Sequence, residues 1–169
     1  LNLYELTYED LLEQKGIGPV KAIQLKAVAE LSRRIARTNR GYQLQMNNPK
    51  TIADFFMEDM RHHRVEVFKG AFFDAKCNFI GSETVAKGSL SFAYVSPAEL
   101  FRKALLKNAV MIVILHNHPS GDPTPSREDL ELTQQIARGA QLLGITLADH
   151  IVIGDNRYYS FRENHRLET

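Results

Sequence analysis

The sequence predicts an α/β fold: a mixed β-sheet with flanking helices, plus a small all-α segment at the N-terminus. Three observations carry this. From residue 50 onward, apolar residues at helical spacing alternate with runs of β-branched and aromatic residues. One run, AVMIVIL at 109–115, has no polar alternation, as expected of a strand covered on both faces. Residues 1–40 carry helical patterns alone.

The elements follow in order. TYEDLLEQ offers Thr7 as a cap with apolar Leu11 and Leu12 behind it, and KGIGP breaks the helix. A second helix starts with Pro19 in its first turn and spaces Ile23, Ala27, Leu31 and Ile35 along one face. TNRGYQLQMNNP has no period and reads as a linker, giving boundaries of 1–40, 41–49 and 50–169. TIADFFMEDMR is a short amphipathic helix, VEVFKGAFFD a strand, AKCN a turn and FIGSETVAKGS the returning strand. SPAELFRKALLKN has a strong helix start, with Ser96 as cap, Pro97 first and Glu99 closing a capping box. After the apolar strand, SREDLELTQQIARGAQLLG is a helix from Ser126 to Gly144. ITLADHIVIGD and RYYSF close the sheet.

Composition bounds the function. The 169 residues suffice for one good core and a small appendage, and the net charge of +1 argues against a general polyanion binder. A single cysteine, Cys77, rules out an internal disulfide framework and fits a reducing, cytoplasmic setting. No apolar run approaches ~18 residues, so no membrane partner is expected, and no signal peptide stands at the front. The chain opens at Leu1 rather than Met, inside the approach to a helix, and reads as a fragment of a longer polypeptide.

The chemistry concentrates in LHNHPSGDPTPSREDLELT, residues 115–133. Side chains two apart on a strand share a face, so His116 and His118 point together if the strand continues past Leu115. Pro119 ends that strand, and Asp129 stands in the first turn of the next helix, three residues after Ser126. Two neutral imidazoles and a carboxylate suit Zn2+ with a fourth position open to water, and such a site brings the water's pKa to about 7. Plainer explanations exist for each part: Ser-x-x-Asp is close to a capping pattern, and histidines at a strand end can be solvated rim residues.

The spacing His116-Asn-His118, seven residues, Ser126, two residues, Asp129 resembles the JAMM motif of MPN/JAB metalloproteases. With HNHPSGDPTPS and LGITLADHIVIG, the chain is similar to the bacterial RadC family, and KGIGPVKAIQLKAVAELSRR resembles the helix-hairpin-helix before its JAB domain. The resemblance implies a JAB/MPN, cytidine-deaminase-like fold. It further implies zinc held by His116, His118 and Asp129, and Ser126 near the water or the developing oxyanion. The family's upstream glutamate, which orients the water and takes its proton, matches Glu66, with Glu83 and Glu99 as rivals. The family name is associated with DNA repair.

Outside the motif, Asp149 and His150 form a polar pair between apolar runs. They either orient a ligand histidine or make a buried pair fixing the sheet end; with no third partner visible, the second is preferred. Asp122 lies between Gly121 and Pro123, where a turn role is expected, and His62, His63 and His165 are expected at the surface. Residues 1–50 hold eight Lys and Arg against five acids, a mild excess. A hairpin at Gly16–Gly18 leading into a basic helix allows weak, non-specific DNA contact through residues 15–40, or simply packing. Three functions remain: a zinc hydrolase acting on a peptide or protein substrate, a DNA-associated module with structural zinc, and a metal-free scaffold. An open fourth position favours the first.

Overall fold

The computed structural model describes residues 3, 6–38, 48–88 and 95–167, with backbone alone for 33–38. The chain divides into two compact units, Leu1–Gly41 and Tyr42–Thr169. In the first, α1 (Tyr8–Leu12) begins at a reciprocal cap: Thr7 Oγ1 accepts from Asp10 N at 3.0 Å and Asp10 Oδ2 accepts from Thr7 N at 2.8 Å. Gly16 turns the chain at φ +87°, a conformation L side chains disfavour, and α2 (Pro19–Thr38) follows. The buried stripe of α2 is not the expected one. Ala22 and Ala29 are covered, while Ile23 and Leu31 are 60% and 57% exposed. The helix carries two apolar stripes, and helical spacing does not say which is covered. Ile35 and most of the expected linker lie outside the described side chains.

The second unit opens with α3 (Pro49–Met60), which starts inside the span assigned to the linker. Asn48 Oδ1 accepts from Thr51 N, and Pro49 fills the first helical position, where no N–H is needed. The strands are β1 (Glu66–Phe73), β2 (Phe79–Gly88), β3 (Met111–Asn117), β4 (Thr146–Ile153) and β5 (Tyr158–Ser160). Between them lie α4 (Pro97–Leu106) and α5 (Arg127–Leu142), each started by the expected serine, Ser96 and Ser126. The sheet runs β2-β1-β3-β4-β5 and is mixed: β3 and β4 are parallel, and the other pairs antiparallel. The parallel pair requires a crossover, which α5 supplies.

Strand alternation divides the core. Ala71, Phe73, Val113, Leu115, Ile151 and Ile153 pack with Ile52, Phe56 and Met60 of α3. Phe68, Phe72, Ile112 and Ile114 pack with Leu100 and Phe101 of α4 and Leu132 and Ile136 of α5. Each fully buried Phe or Ile contributes about 1.5–3 kcal/mol. Gly139 lets the helices close, since a Cβ there would stand 2.6 Å from Phe101 Cε2. The even-numbered residues of β3 therefore face α5, and His116 extends the row of Ile112 and Ile114. Among the described residues no helix is long and apolar enough to cross a membrane.

Candidate metal centre

β3 delivers the histidines. Its parallel ladder with β4 continues one step past Asn117, where His118 N donates to Ile153 O at 2.9 Å. The imidazoles of His116 and His118 consequently meet, Nε2 to Nε2, at 3.0 Å. The following loop turns at Gly121 and folds back, so that the Asp122 carbonyl lies 2.8 Å from His118 Nδ1. A carbonyl only accepts, so Nδ1 carries the proton and His118 Nε2 faces inward. Asp122 has the expected turn role, its carboxylate accepting from Thr124 N and Oγ1. The use of its backbone oxygen left no mark in the sequence.

α5 delivers the carboxylate. Ser126 caps the helix, its Oγ accepting from Asp129 N at 3.1 Å, and Asp129 Oδ2 accepts from Ser126 N at 2.7 Å. The Ser126 hydroxyl also lies 2.7 Å from Asp129 Oδ2, so capping and site-building are one arrangement. Asp129 Oδ1 stands 3.0 Å from His116 Nε2, and Oδ2 stands 3.5 Å from His118 Nε2. His116 and Asp129 are buried, and His118 is partly open to solvent.

These three side chains form a group that could hold a metal ion. Ligands about 2.0–2.1 Å from a tetrahedral zinc lie roughly 3.3 Å apart, close to the spacings here. The electrostatics point the same way. The two ring nitrogens and the carboxylate stand close enough to share either protons or a single cation. Burial would raise the Asp129 pKa, but hydrogen bonds with His116 and His118 and the charge of His116 hold it well below the usual carboxylate range. The hydrogen bond with Asp129 raises His118 above the ordinary imidazole value, against the effect of burial.

Glu66 opens β1, half-buried, two residues before Phe68, which pairs with His116. Extending that register sets Glu66 opposite His118, and its charge contributes to raising the His118 pKa. Asn117, buried between the histidines, brackets this position. Its Oδ1 accepts from Val67 N at 2.8 Å, and its Nδ2 donates to Val65 O and His63 O. The two rival glutamates are engaged elsewhere. Glu83 pairs with Lys107 at 3.0 Å, and Glu99, instead of closing the expected capping box at Ser96, pairs with Arg102 at 2.8 Å. His62 lies against Glu58, and His165 is exposed on a C-terminal turn.

Asp149 and His150 do not form a self-contained pair. His150, fully buried, has its Nε2 2.8 Å from His116 Nδ1 and its Nδ1 2.6 Å from Thr133 Oγ1. The third partner missing from the sequence reading is Thr133, one helical turn beyond Asp129. Asp149 turns its carboxylate to Ser160 Oγ, Arg162 N and His150 N, holding Phe161 flat against the His150 ring at 4.6 Å.

Residues 46–167 match the RadC-like JAB domain. A UPF0758 protein of Desulfitobacterium hafniense is 42% identical over 161 residues, spanning 95% of this chain and 71% of the relative. A UPF0758 protein of Caldanaerobacter subterraneus is 41% identical over 155 residues, 92% of this chain and 66% of its own. One from a Geobacillus species is 40% identical over 161 residues, 95% and 71%. With a mixed sheet flanked by helices and a His-His-Asp group at the end of its central strand, the chain belongs to the RadC-like JAB domain family.

Proposed function

We propose that this protein is a zinc-dependent hydrolase that cleaves an amide bond in a peptide or protein. The observation that carries the reading is the meeting of His116 Nε2, His118 Nε2 and one Asp129 carboxylate at separations of 3.0–3.5 Å. These three residues would hold the ion, leaving a fourth position for water or substrate. A zinc ion held there would supply Lewis acidity for the attack of water on the scissile carbonyl. Glu66 accepts the proton at its carboxylate and passes it to the leaving nitrogen. Ser126 gives its one hydroxyl hydrogen to Asp129 Oδ2 and so fixes that carboxylate beside the place where charge develops on the carbonyl oxygen.

Zinc content of protein purified without added metal, together with cleavage of a peptide library, tests the reading. Stoichiometric zinc and a Glu66→Gln variant that keeps the metal but loses cleavage are expected. A chain free of zinc, or a variant that cleaves at the wild-type rate, overturns it.

A second reading, weak non-specific DNA contact through residues 15–40, is favoured by the open hairpin. A Cβ at Gly16 or Gly18 would meet nothing within 4 Å, which leaves room for a phosphate beside the backbone. Fluorescence anisotropy with duplex DNA across a salt series tests it, and absence of binding at low salt discards it.

A further inference from the structure

We propose that His150 and Thr133 are positioning residues that determine which nitrogen of His116 faces the cleft. The inference rests on the reading that His116 holds a metal.

The direction of each bond follows from what its atoms can do. A backbone carbonyl oxygen only accepts, so the Thr133 hydroxyl gives its hydrogen to Asp129 O, 2.5 Å away. That hydroxyl has no second hydrogen, so its oxygen accepts from His150 Nδ1 at 2.6 Å. A neutral imidazole carries one N–H, which leaves His150 Nε2 as a lone pair. His116 Nδ1, 2.8 Å from it, must then donate. His116 is consequently protonated on Nδ1, which leaves its Nε2 to take a metal ion beside His118 and Asp129 or, without one, a second proton shared with Asp129.

The chain of bonds begins and ends in the same group, running from His116 through His150 and Thr133 to the backbone of Asp129. Its members cannot easily change places. Thr133 is 2% exposed and His150 wholly buried, with Phe161 stacked on its ring and Phe68 edge-on at 6.1 Å. A flip of the His150 ring would set carbon atoms where both hydrogen bonds are made. His118 reaches the same orientation by a shorter route, through the Asp122 carbonyl alone. Histidine ligands usually give their second N–H to a carboxylate, carbonyl or water. Here the acceptor is another imidazole, and its tautomer is set by a threonine.

Long-range proton–nitrogen correlation of the metal-free chain at about pH 8 reads histidine tautomers directly. Both His116 and His150 are expected to carry a proton on Nδ1, and a neutral Nε2–H tautomer of either overturns the inference. Zinc competition against a chromophoric chelator gives a second readout. Thr133→Val keeps the side-chain shape without the hydroxyl and is expected to weaken zinc binding about 10–100-fold, while Thr133→Ser restores most of it. Equal affinities in the valine variant and the wild type overturn the inference. A wild-type chain that binds no zinc removes the metal reading instead, and the tautomers then decide the relay. They decide it as well if the valine variant does not fold.

Discussion

Asp149 makes the stability of the fold depend on pH in a calculable way. Its carboxyl is 1% exposed, and burial pushes its pKa from 3.8 up to about 6 despite hydrogen bonds from Ser160, Arg162 N and His150 N. The folded chain therefore holds this proton more tightly than the unfolded chain. The contribution is fully present below pH 3.8 and is lost as pH rises through about 6. At ~1.4 kcal/mol per pH unit, the rise corresponds to about 3 kcal/mol, of which about 2.5 falls between about pH 4 and 7.5. Asn at this position cannot ionise but keeps the shape of the protonated acid. Urea unfolding of wild type and Asp149→Asn across that range measures the difference. Any constant offset from the amide cancels, as do the other titrating groups common to both chains. The variant should gain about 2.5 kcal/mol on the wild type between the two ends. A stability difference that stays flat with pH, or moves against the variant as pH rises, refutes the reasoning.

Three further outcomes follow. Glu66→Gln should lower the rate of amide cleavage about 100- to 10,000-fold with zinc content unchanged, by steady-state kinetics and metal analysis of one preparation. Ser126→Ala removes the α5 cap and the hydroxyl on Asp129, so it should cost about 0.5–2 kcal/mol in urea unfolding and weaken zinc retention against a chelator. Gly154→Ala would drive a Cβ into Gly121 O and to within 2.8 Å of Pro123 Cδ. Overpacking of this kind costs about 1–3 kcal/mol, and it displaces the loop whose Asp122 carbonyl orients His118. Both unfolding free energy and zinc affinity should fall; a variant that loses neither contradicts the proposed coupling.

Local chemistry made much of the second unit legible. The serine caps at 96 and 126, the Pro97 start and the unbroken apolar run of β3 are short-range signals, and the structure carries each of them. The trio at 116, 118 and 129 was legible because strand alternation and a helix start fix where those side chains go. Four features were not. The covered face of α2 was misread, because the covered Ala22 and Ala29 are less apolar than the exposed Ile23 and Leu31, so apolar spacing favours the other stripe. The start of α3 was hidden because Asn48 and Pro49 suit a linker as well as a helix cap. The partners of His150 were missed because Thr133 lies seventeen residues away on another element, and a mid-helix threonine looks ordinary. The Asp122 carbonyl had no signal to read, since every residue has one.

Asn117 shows that the residue separating the two histidines is more than a spacer. Its amide clasps the main chain on either side of Glu66, at Val65 and Val67, and reaches back to His63. The imidazoles and the acid across from them are thus riveted to one rigid edge, whichever way the surrounding loops move. Insertions from 63 to 67 would pull the acid out of step with the histidines.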